Sequence, residues 1–388
     1  MHDTATVSAK GARRWQHGHP WIFRSDVTSR PTGPAGVVSV RDHVGRPIGW
    51  ALWSPASEIS LRMIERDARA AIDRGWWRTR LGDAIARREE VARSCTAYRL
   101  VHGEGDGCPS LICDRYDRWL VVQLMSAGLE ALRSDVVGAL TDLVQPDGVL
   151  ARNDVPLRAK EQLPVGVEVL AGEVPEEIEV TEHDVRFLAA PWTGQKTGAF
   201  LDQRENRVLA ASVARGRALD CFSYHGSFAL HLARRAETVV ALDSSADALR
   251  RAAANCALNG IDNVELVEAD TFEYLRARGS AGERFDTIVL DPPAFAKTRA
   301  SLPAAVRGYK EINLRALRLL SRGGMLFTAS CSFHLTKPLF LEMLMAAAGD
   351  SGRRVVLRAI TAQPSDHPEV LTIPETGYLK GALLEVVD

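Results

Sequence analysis

The sequence predicts an α/β fold, a doubly wound parallel sheet that begins near residue 201 and follows a small β-barrel and a mixed α+β segment. Three observations predict it. Beyond residue 201, apolar β-type runs alternate with helix-length amphipathic runs, the pattern of parallel strands joined by crossover helices. Acids stand at the ends of successive β-type runs, at Asp220, Asp243, Asp270 and Asp291, where an open α/β sheet binds its ligands. The first 70 residues hold instead short β-type runs punctuated by Gly, Pro and Asp.

In chain order, Gly36 to Val40, Pro47 to Trp53 and Ile59 to Ile64 are candidate strands, separated by Gly33-Pro34, Asp42, Gly45 and Ser54-Pro55. Residues 68–94 are rich in Ala, Arg and Glu, with Ile72, Leu81 and Ile85 at helical spacing, and predict one long helix. The middle segment, Tyr98 to Phe200, has strands at Ser110 to Cys113, Trp119 to Met125, Val165 to Val169, Ile178 to Thr181 and Val185 to Ala189, and a helix at Leu129 to Val144. The sheet domain follows with strands at Arg217 to Asp220, Thr238 to Asp243, Val264 to Val267, Phe285 to Asp291 and Met325 to Ala329. Between and after them lie helices at Phe228 to Ala236, Ala246 to Asn259, Thr271 to Arg278, Ala305 to Leu320 and Pro338 to Ala348. Two last runs, Val355 to Ile360 and Ala382 to Val387, have no helix between them and predict an antiparallel pair at one edge of the sheet. The expected domains are 1–70, 71–190 and 191–388.

At 388 residues the chain is long enough for two or three cores. It is 46% hydrophobic and 25% charged, the balance of a globular protein, and no apolar run approaches the roughly 20 residues that span a bilayer. The segment Met1-His-Asp-Thr-Ala has no apolar core of a signal peptide, so the cytoplasm is the expected compartment. The six cysteines include no C-x-x-C pair; they predict unbridged thiols and no zinc site. The net charge of −1 hides an asymmetry. Residues 1–100 hold 17 Lys and Arg against 10 Asp and Glu, whereas the remainder holds 31 against 39. A basic N-terminal part on an acidic remainder suits a phosphate-binding module on an enzyme domain, although solvated arginine-rich helices give the same count.

The turn after the first sheet strand, Asp220-Cys-Phe-Ser-Tyr-His-Gly226, lacks the three glycines that let a backbone approach a pyrophosphate, which argues against a dinucleotide. One glycine suits a phosphate-free ligand such as S-adenosylmethionine. Asp243 stands where an acid accepts from ribose hydroxyls, and Asp270 where an acid accepts from an adenine amino group. Taken singly, either is also a helix N-cap, before Ser244 and Thr271 respectively. Cys331 and Asp291 end neighbouring strand-like runs. A thiol and a carboxylate facing one pocket suit methyl transfer to a carbon that is not nucleophilic on its own, such as C5 of cytosine.

Five segments, Gln195 to Arg204, Asp220 to Gly226, Asp291-Pro-Pro-Ala-Phe-Ala-Lys297, Ser330-Cys-Ser332 and Asp366-His-Pro368, resemble the bacterial large-subunit rRNA cytosine-5 methyltransferases, and the likeness spans the whole chain. The opening segment, with Lys10 to Arg13 and His19 to Phe23, resembles an RNA-binding PUA domain, and the final domain a class I (Rossmann-like) methyltransferase. The resemblance implies S-adenosylmethionine as cofactor, large-subunit rRNA or a pre-ribosomal particle as partner, and allows a homodimer. It implies that Cys331 adds to C6 of cytosine and that Asp291 hydrogen-bonds N3. Pro292 and Pro293 stiffen the loop, and Lys297 touches substrate phosphate or merely solvates a loop. Gln203, Arg204, Asp220, Phe222, Ser223, Tyr224, Gly226, Asp243, Ser244, Asp270, Thr271 and Asp291 would line the cofactor. His225 reads as turn lining, and Trp21 and Phe23 as barrel core or base-stacking faces.

One departure bears on mechanism. Many such enzymes carry a second cysteine after the proline of the Asp-Pro-Pro region; here Ala294 follows Pro293, as in the subfamily resembled, and the base for the C5 proton is unassigned. The alternatives are an adenine-N6 methyltransferase, a methyltransferase acting on a protein or small molecule, and a non-catalytic RNA-binding assembly factor. The first places an aromatic directly after Asp-Pro-Pro, where this chain has Ala294, and gives Cys331 no role.

Overall fold

Three sheets, of six, five and two strands, precede the long one. A computed structural model describes residues 3–296 and 298–388, so Lys297 lies outside the described residues. The first sheet has six strands in the order Trp21–Ile22, Leu61–Glu65, Pro47–Trp53, Gly36–Arg41, Thr4–Val7, Val27–Ser29, around a core that includes Val7, Ile22, Val40, Trp53 and Met63. The second has five, in the order Val167–Gly172, Gly148–Arg152, Trp119–Leu124, Leu111–Tyr116, Ala97–His102. Its core joins Val101, Leu120, Val122 and Val149 to Trp77, Leu81 and Leu140 of the covering helices. Both belong to one compact unit, which holds the chain to Thr181 together with Ala189–Leu201 and Ser365–Thr376.

The single helix expected over 68–94 is two: Arg74–Ala86 and Glu89–Ala92. Asp73 sets the start by accepting from the Trp76 amide at 3.0 Å. Arg88 breaks the continuation. Its backbone leaves the helical region, and its buried guanidinium donates to both oxygens of Asp106, at 2.7 and 2.6 Å, and to the Asp366 carbonyl at 2.7 Å. A fully satisfied buried arginine outweighs one more helical turn.

The second unit, Glu182–Leu188, Asp202–Pro364 and Gly377–Asp388, carries a seven-stranded sheet. Its strands are β1 (Arg217–Cys221), β2 (Thr238–Asp243), β3 (Val264–Glu268), β4 (Phe285–Leu290), β5 (Leu320–Ser330), β6 (Val355–Thr361) and β7 (Lys380–Val386). Its helices are α1 (Arg204–Ser212), α2 (Ser227–Ala233), α3 (Ala246–Asn259), α4 (Thr271–Ser280), α5 (Leu302–Leu319) and α6 (Lys337–Ser351). The order is β3-β2-β1-β4-β5-β7-β6, parallel except for β7. The last two strands pair antiparallel at one edge of the sheet, as expected, with β7 between β5 and β6 and antiparallel to both. Period-two alternation divides the core. Leu219, Leu242, Ile288 and Leu290 face a layer of Leu275, Tyr309, Ile312, Phe340 and Leu344, while Ala218, Ala241, Val289 and Phe327 face Ala210, Phe228 and Leu232.

Candidate functional site

Strand order reverses at β1, with β2 on one side and β4 on the other, and the candidate residues gather at the carboxyl ends there. Leu290 of β4 pairs with Thr328 of β5, so Asp291 leaves its strand one residue later and Cys331 three residues later on the neighbouring strand. Asp220 pairs with Ala241 of β2 and Val289 of β4.

Asp220 is buried. One carboxylate oxygen accepts from the Ser223 hydroxyl at 2.7 Å and the Ala229 amide at 2.9 Å, while the other, also buried, has no hydrogen-bond partner among the described residues. Burial pushes its pKa up to about 7; the two hydrogen bonds oppose this, and the nearby charges of Asp291 and Asp243 reinforce it. An orphaned carboxylate oxygen among other acids fits a cationic ligand group. The turn beside it is bent into the left-handed region at Phe222 (φ 63°), Tyr224 (φ 52°) and Gly226 (φ 84°). Such backbone is costly for residues with a Cβ and is found where the surrounding structure fixes it. Gly226 starts α2 and packs so closely that a Cβ there would lie 3.1 Å from that of Ala252. Asp243 holds the turn by accepting from the Tyr224 amide at 2.8 Å and the Ser245 amide at 2.9 Å. Asp270 caps α4, accepting from the Glu273 amide at 3.0 Å, with Thr271 buried behind it; Ser244 is exposed.

Asp291 accepts from Gln203 Nε2 at 2.7 Å, and Asn206 Nδ2 in turn donates to Gln203 Oε1 at 2.6 Å. Arg204 is buried and donates to Glu205 at 2.9 Å. Pro292 is buried and Pro293 exposed. The loop after Asp291 is stitched to the Cys331 loop through α5. The Ala296 amide donates to Ser332 Oγ (3.1 Å), Ser332 Oγ shares a 2.9 Å hydrogen bond with the Tyr309 hydroxyl, and the Phe295 amide donates to that hydroxyl (3.3 Å). The Phe295 ring lies 4.6 Å from Tyr309, 6.1 Å from Phe272 and 6.4 Å from Phe222, inside an aromatic cluster. Cys331 is half-buried, whereas the other five cysteines are buried. Burial pushes the Cys221 thiol up, and with it those of Cys108, Cys113 and Cys256, which makes them inert.

Sequence reading missed several of these partners. Asn206, Tyr309 and the buried Lys380, whose ammonium donates to the Ser332 carbonyl at 2.6 Å, lie far along the chain from the motifs they serve. It also missed the buried ion pair of Arg207 with Glu182 (Nε to Oε1, 2.6 Å) and its neighbour His231 (3.0 Å). His225 is buried behind the turn, stacked on Phe187 at 5.2 Å, and burial depresses its pKa to about 4. The resemblance segments divide between the units. Thr197 donates to Asp114 at 2.6 Å and Asp366 accepts from the Arg99 amide at 2.8 Å, both in the first unit, together with Trp21 and Phe23. No group of three or more His, Cys, Asp or Glu among the described residues is arranged to hold a metal ion, and none of their helices is long and apolar enough to cross a membrane.

Known proteins resemble this chain at the level of family and fold. Residues 5–66 match the family model of the PUA-like domain, and residues 98–374 that of the S-adenosylmethionine-dependent methyltransferases. The chain is 40% identical to the ribosomal RNA large subunit methyltransferase I of Shewanella amazonensis, covering 95% of each, and 39% identical to that of Klebsiella pneumoniae, covering 98% of each. Among solved structures it superposes on a Streptococcus mutans SAM-dependent methyltransferase with a TM-score of 0.83 at 20% identity, over 99% of this chain and 100% of that one. A methyltransferase crystallised with SAH gives a TM-score of 0.85 at 20% identity, with the same coverage.

Proposed function

Because the chain belongs to the S-adenosylmethionine-dependent methyltransferases and carries a PUA-like domain, we propose that it forms 5-methylcytosine in large-subunit rRNA through a covalent adduct of Cys331. The observation that carries the reading is the stitched pair of loops, which holds a half-buried thiol and a carboxylate on adjacent strand ends. The names of relatives about 40% identical over nearly their whole length support rRNA as the substrate. The reading divides the chain into 1–70, 71–190 and 191–388, and implies the cytoplasm, where ribosomal RNA is modified.

S-adenosylmethionine, when bound, supplies an electrophilic methyl group. The Asp220 oxygen without a partner, the left-handed turn from Phe222 to Gly226, and Asp243 with Ser244 would hold it, and Asp270 with Thr271 would close the adenine end. Cytosine C5 is a poor nucleophile. Cys331 Sγ bonds to C6, the C5–C6 double-bond electrons move onto the ring, and C5 becomes enamine-like. Asp291 hydrogen-bonds N3 and helps protonate it as the adduct forms; C5 takes up the methyl group, a base removes the C5 proton, and the thiolate leaves as N3 gives its proton back. Gln203, itself held by Asn206, fixes the carboxyl beforehand. Pro292 and Pro293 limit the loop, and Lys297 meets substrate phosphate. The adenine alternative loses support: Ala294 stands where that class stacks its base, and Phe295 is occupied by aromatic neighbours.

Trapping tests the reading. rRNA containing 5-fluorocytosine, incubated with the protein and S-adenosylmethionine, should leave a covalent protein–RNA adduct, because fluorine at C5 blocks the final elimination. The adduct should vanish in Cys331→Ala. Absence of any adduct with the wild-type protein overturns the reading.

A further inference from the structure

Lys380 is a cation buried in the catalytic layer with no carboxylate paired to it among the described residues. It opens β7, the strand that inserts next to β5, and its backbone pairs with Ser330, the residue before Cys331. Its side chain is 4% exposed. Its Nζ donates to the carbonyl of Ser332, the residue after Cys331, at 2.6 Å, and to the carbonyl of Tyr378 at 2.7 Å. The same lysine therefore contacts the chain on both sides of Cys331. Two carbonyls satisfy two of its three N–H groups but leave its charge unbalanced, and an unbalanced buried charge is costly.

The surroundings narrow what can balance it. Among the described residues, the charges that act on Lys380 are Cys331 beyond β5 and Lys337 at the start of α6; Tyr378 beside it donates its hydroxyl to Asp202 at 2.7 Å. The neighbouring strand β6 offers Thr361 opposite Gly381, without charge. Burial lowers the Lys380 amine to about 8, the Cys331 charge opposes that fall, and Lys337 adds to it. Of these two, only Cys331 can carry the negative charge that would balance Lys380.

Resting on the assignment of Cys331 as nucleophile, we propose that Lys380 is its positioning residue, an ammonium that holds Cys331 as a thiolate before RNA arrives. The Cys331 S–H proton is lost to water, and the S⁻ that remains is balanced by the NH₃⁺ already in place. When sulfur adds to C6 its lone pair becomes the S–C bond, and when product is released that pair returns to a sulfur whose counter-ion is still in place. A thiolate prepared in this way needs no base delivered by the substrate.

The test is the pH dependence of Cys331 alkylation by iodoacetamide in the full-length protein without RNA, read by mass spectrometry of the Cys331 peptide. The wild type should show an apparent pKa at least about one unit below the ordinary thiol value of roughly 8.5. Lys380→Met should raise it by about one unit or more and slow alkylation at pH 7 about tenfold, and Lys380→Arg should restore most of the rate. A merely structural lysine would change the melting temperature and leave the thiol titration where it was. A folded Lys380→Met whose profile superposes on the wild type overturns the proposal. If Lys380→Met does not fold, a wild-type thiol titrating at or above the ordinary value overturns it without a variant. The two readings fail separately. A fluorocytosine adduct that depends on Cys331, with an unshifted thiol, sinks only the role of Lys380. A depressed thiol with no adduct sinks only the cytosine-5 assignment.

Discussion

At the scale of single residues, the chemistry rests on groups whose burial sets their charge. Asp220 is the clearest. Its carboxyl titrates near 7 because it is buried, so the native state binds its proton more tightly than the unfolded chain does, and its cost to stability grows as pH rises from about 4 to about 7. Asp220→Asn should therefore stabilise the cofactor-free protein at pH 8 by about 2 kcal/mol, a gain that disappears near pH 4. The same substitution should weaken S-adenosylmethionine binding at least tenfold; thermal melts with and without cofactor check both. In the wild type, affinity for the cofactor should fall as pH drops through about 7, where the acid loses its charge. Asp220 was legible in the sequence because it ends an apolar run ahead of a glycine turn. Its missing hydrogen bond was not, since that depends on which backbone amides the turn points inward.

At the scale of elements, α5 does more than cover the sheet. Its Tyr309 joins the Asp291 loop to the Cys331 loop through Ser332 and the Phe295 amide. Tyr309→Phe should cost about 1 kcal/mol of stability and lower kcat about tenfold, with cofactor affinity unchanged. Equal losses in kcat and cofactor affinity would show that the hydroxyl supports the whole domain instead. Helices α1 and α2 meet over the buried Glu182, which receives Arg207 and lies against His231. Burial pushes the Glu182 carboxyl up, but Arg207 and His231 outweigh it and hold it well below the usual carboxylate range. Its stabilisation is thus present above about pH 4 and is lost only in stronger acid. Glu182→Ala should destabilise by about 3–5 kcal/mol because it leaves a buried arginine uncompensated; denaturant unfolding measures this. Neither Tyr309 nor Glu182 carries a local signal, as each gains its role from partners tens of residues away. The break at Arg88 was illegible for the same reason: helical spacing continues through it, and only Asp106 and Asp366 explain the inward turn.

At the scale of the whole molecule, the alternation of strand and helix runs carried the sheet domain, including the antiparallel character of its last strands. The insertion of β7 between β5 and β6 was hidden, because sequence order says which strands exist and not which become neighbours. That insertion brings Lys380 next to Cys331. In the first unit, Trp21–Ile22, Val27–Ser29 and Thr4–Val7 were too short to show a period. The charge asymmetry belongs to this scale as well. Lys10 and Arg13 are exposed, and Lys10→Glu with Arg13→Glu should weaken rRNA binding and reduce its log–log salt slope by about 2, leaving Cys331 alkylation unchanged. Titrations of RNA binding at several salt concentrations test this, and an unchanged slope would place the phosphate contacts elsewhere.

The central claim is that Cys331 makes 5-methylcytosine, and product identity tests it most directly. Large-subunit rRNA from cells lacking this protein is incubated with the full-length protein and S-adenosylmethionine carrying a labelled methyl group, digested to nucleosides and resolved by mass spectrometry. The account predicts label in 5-methylcytidine alone, abolished in Cys331→Ala while that variant still binds RNA and cofactor. Label in N6-methyladenosine, or 5-methylcytidine made undiminished by Cys331→Ala, would contradict it.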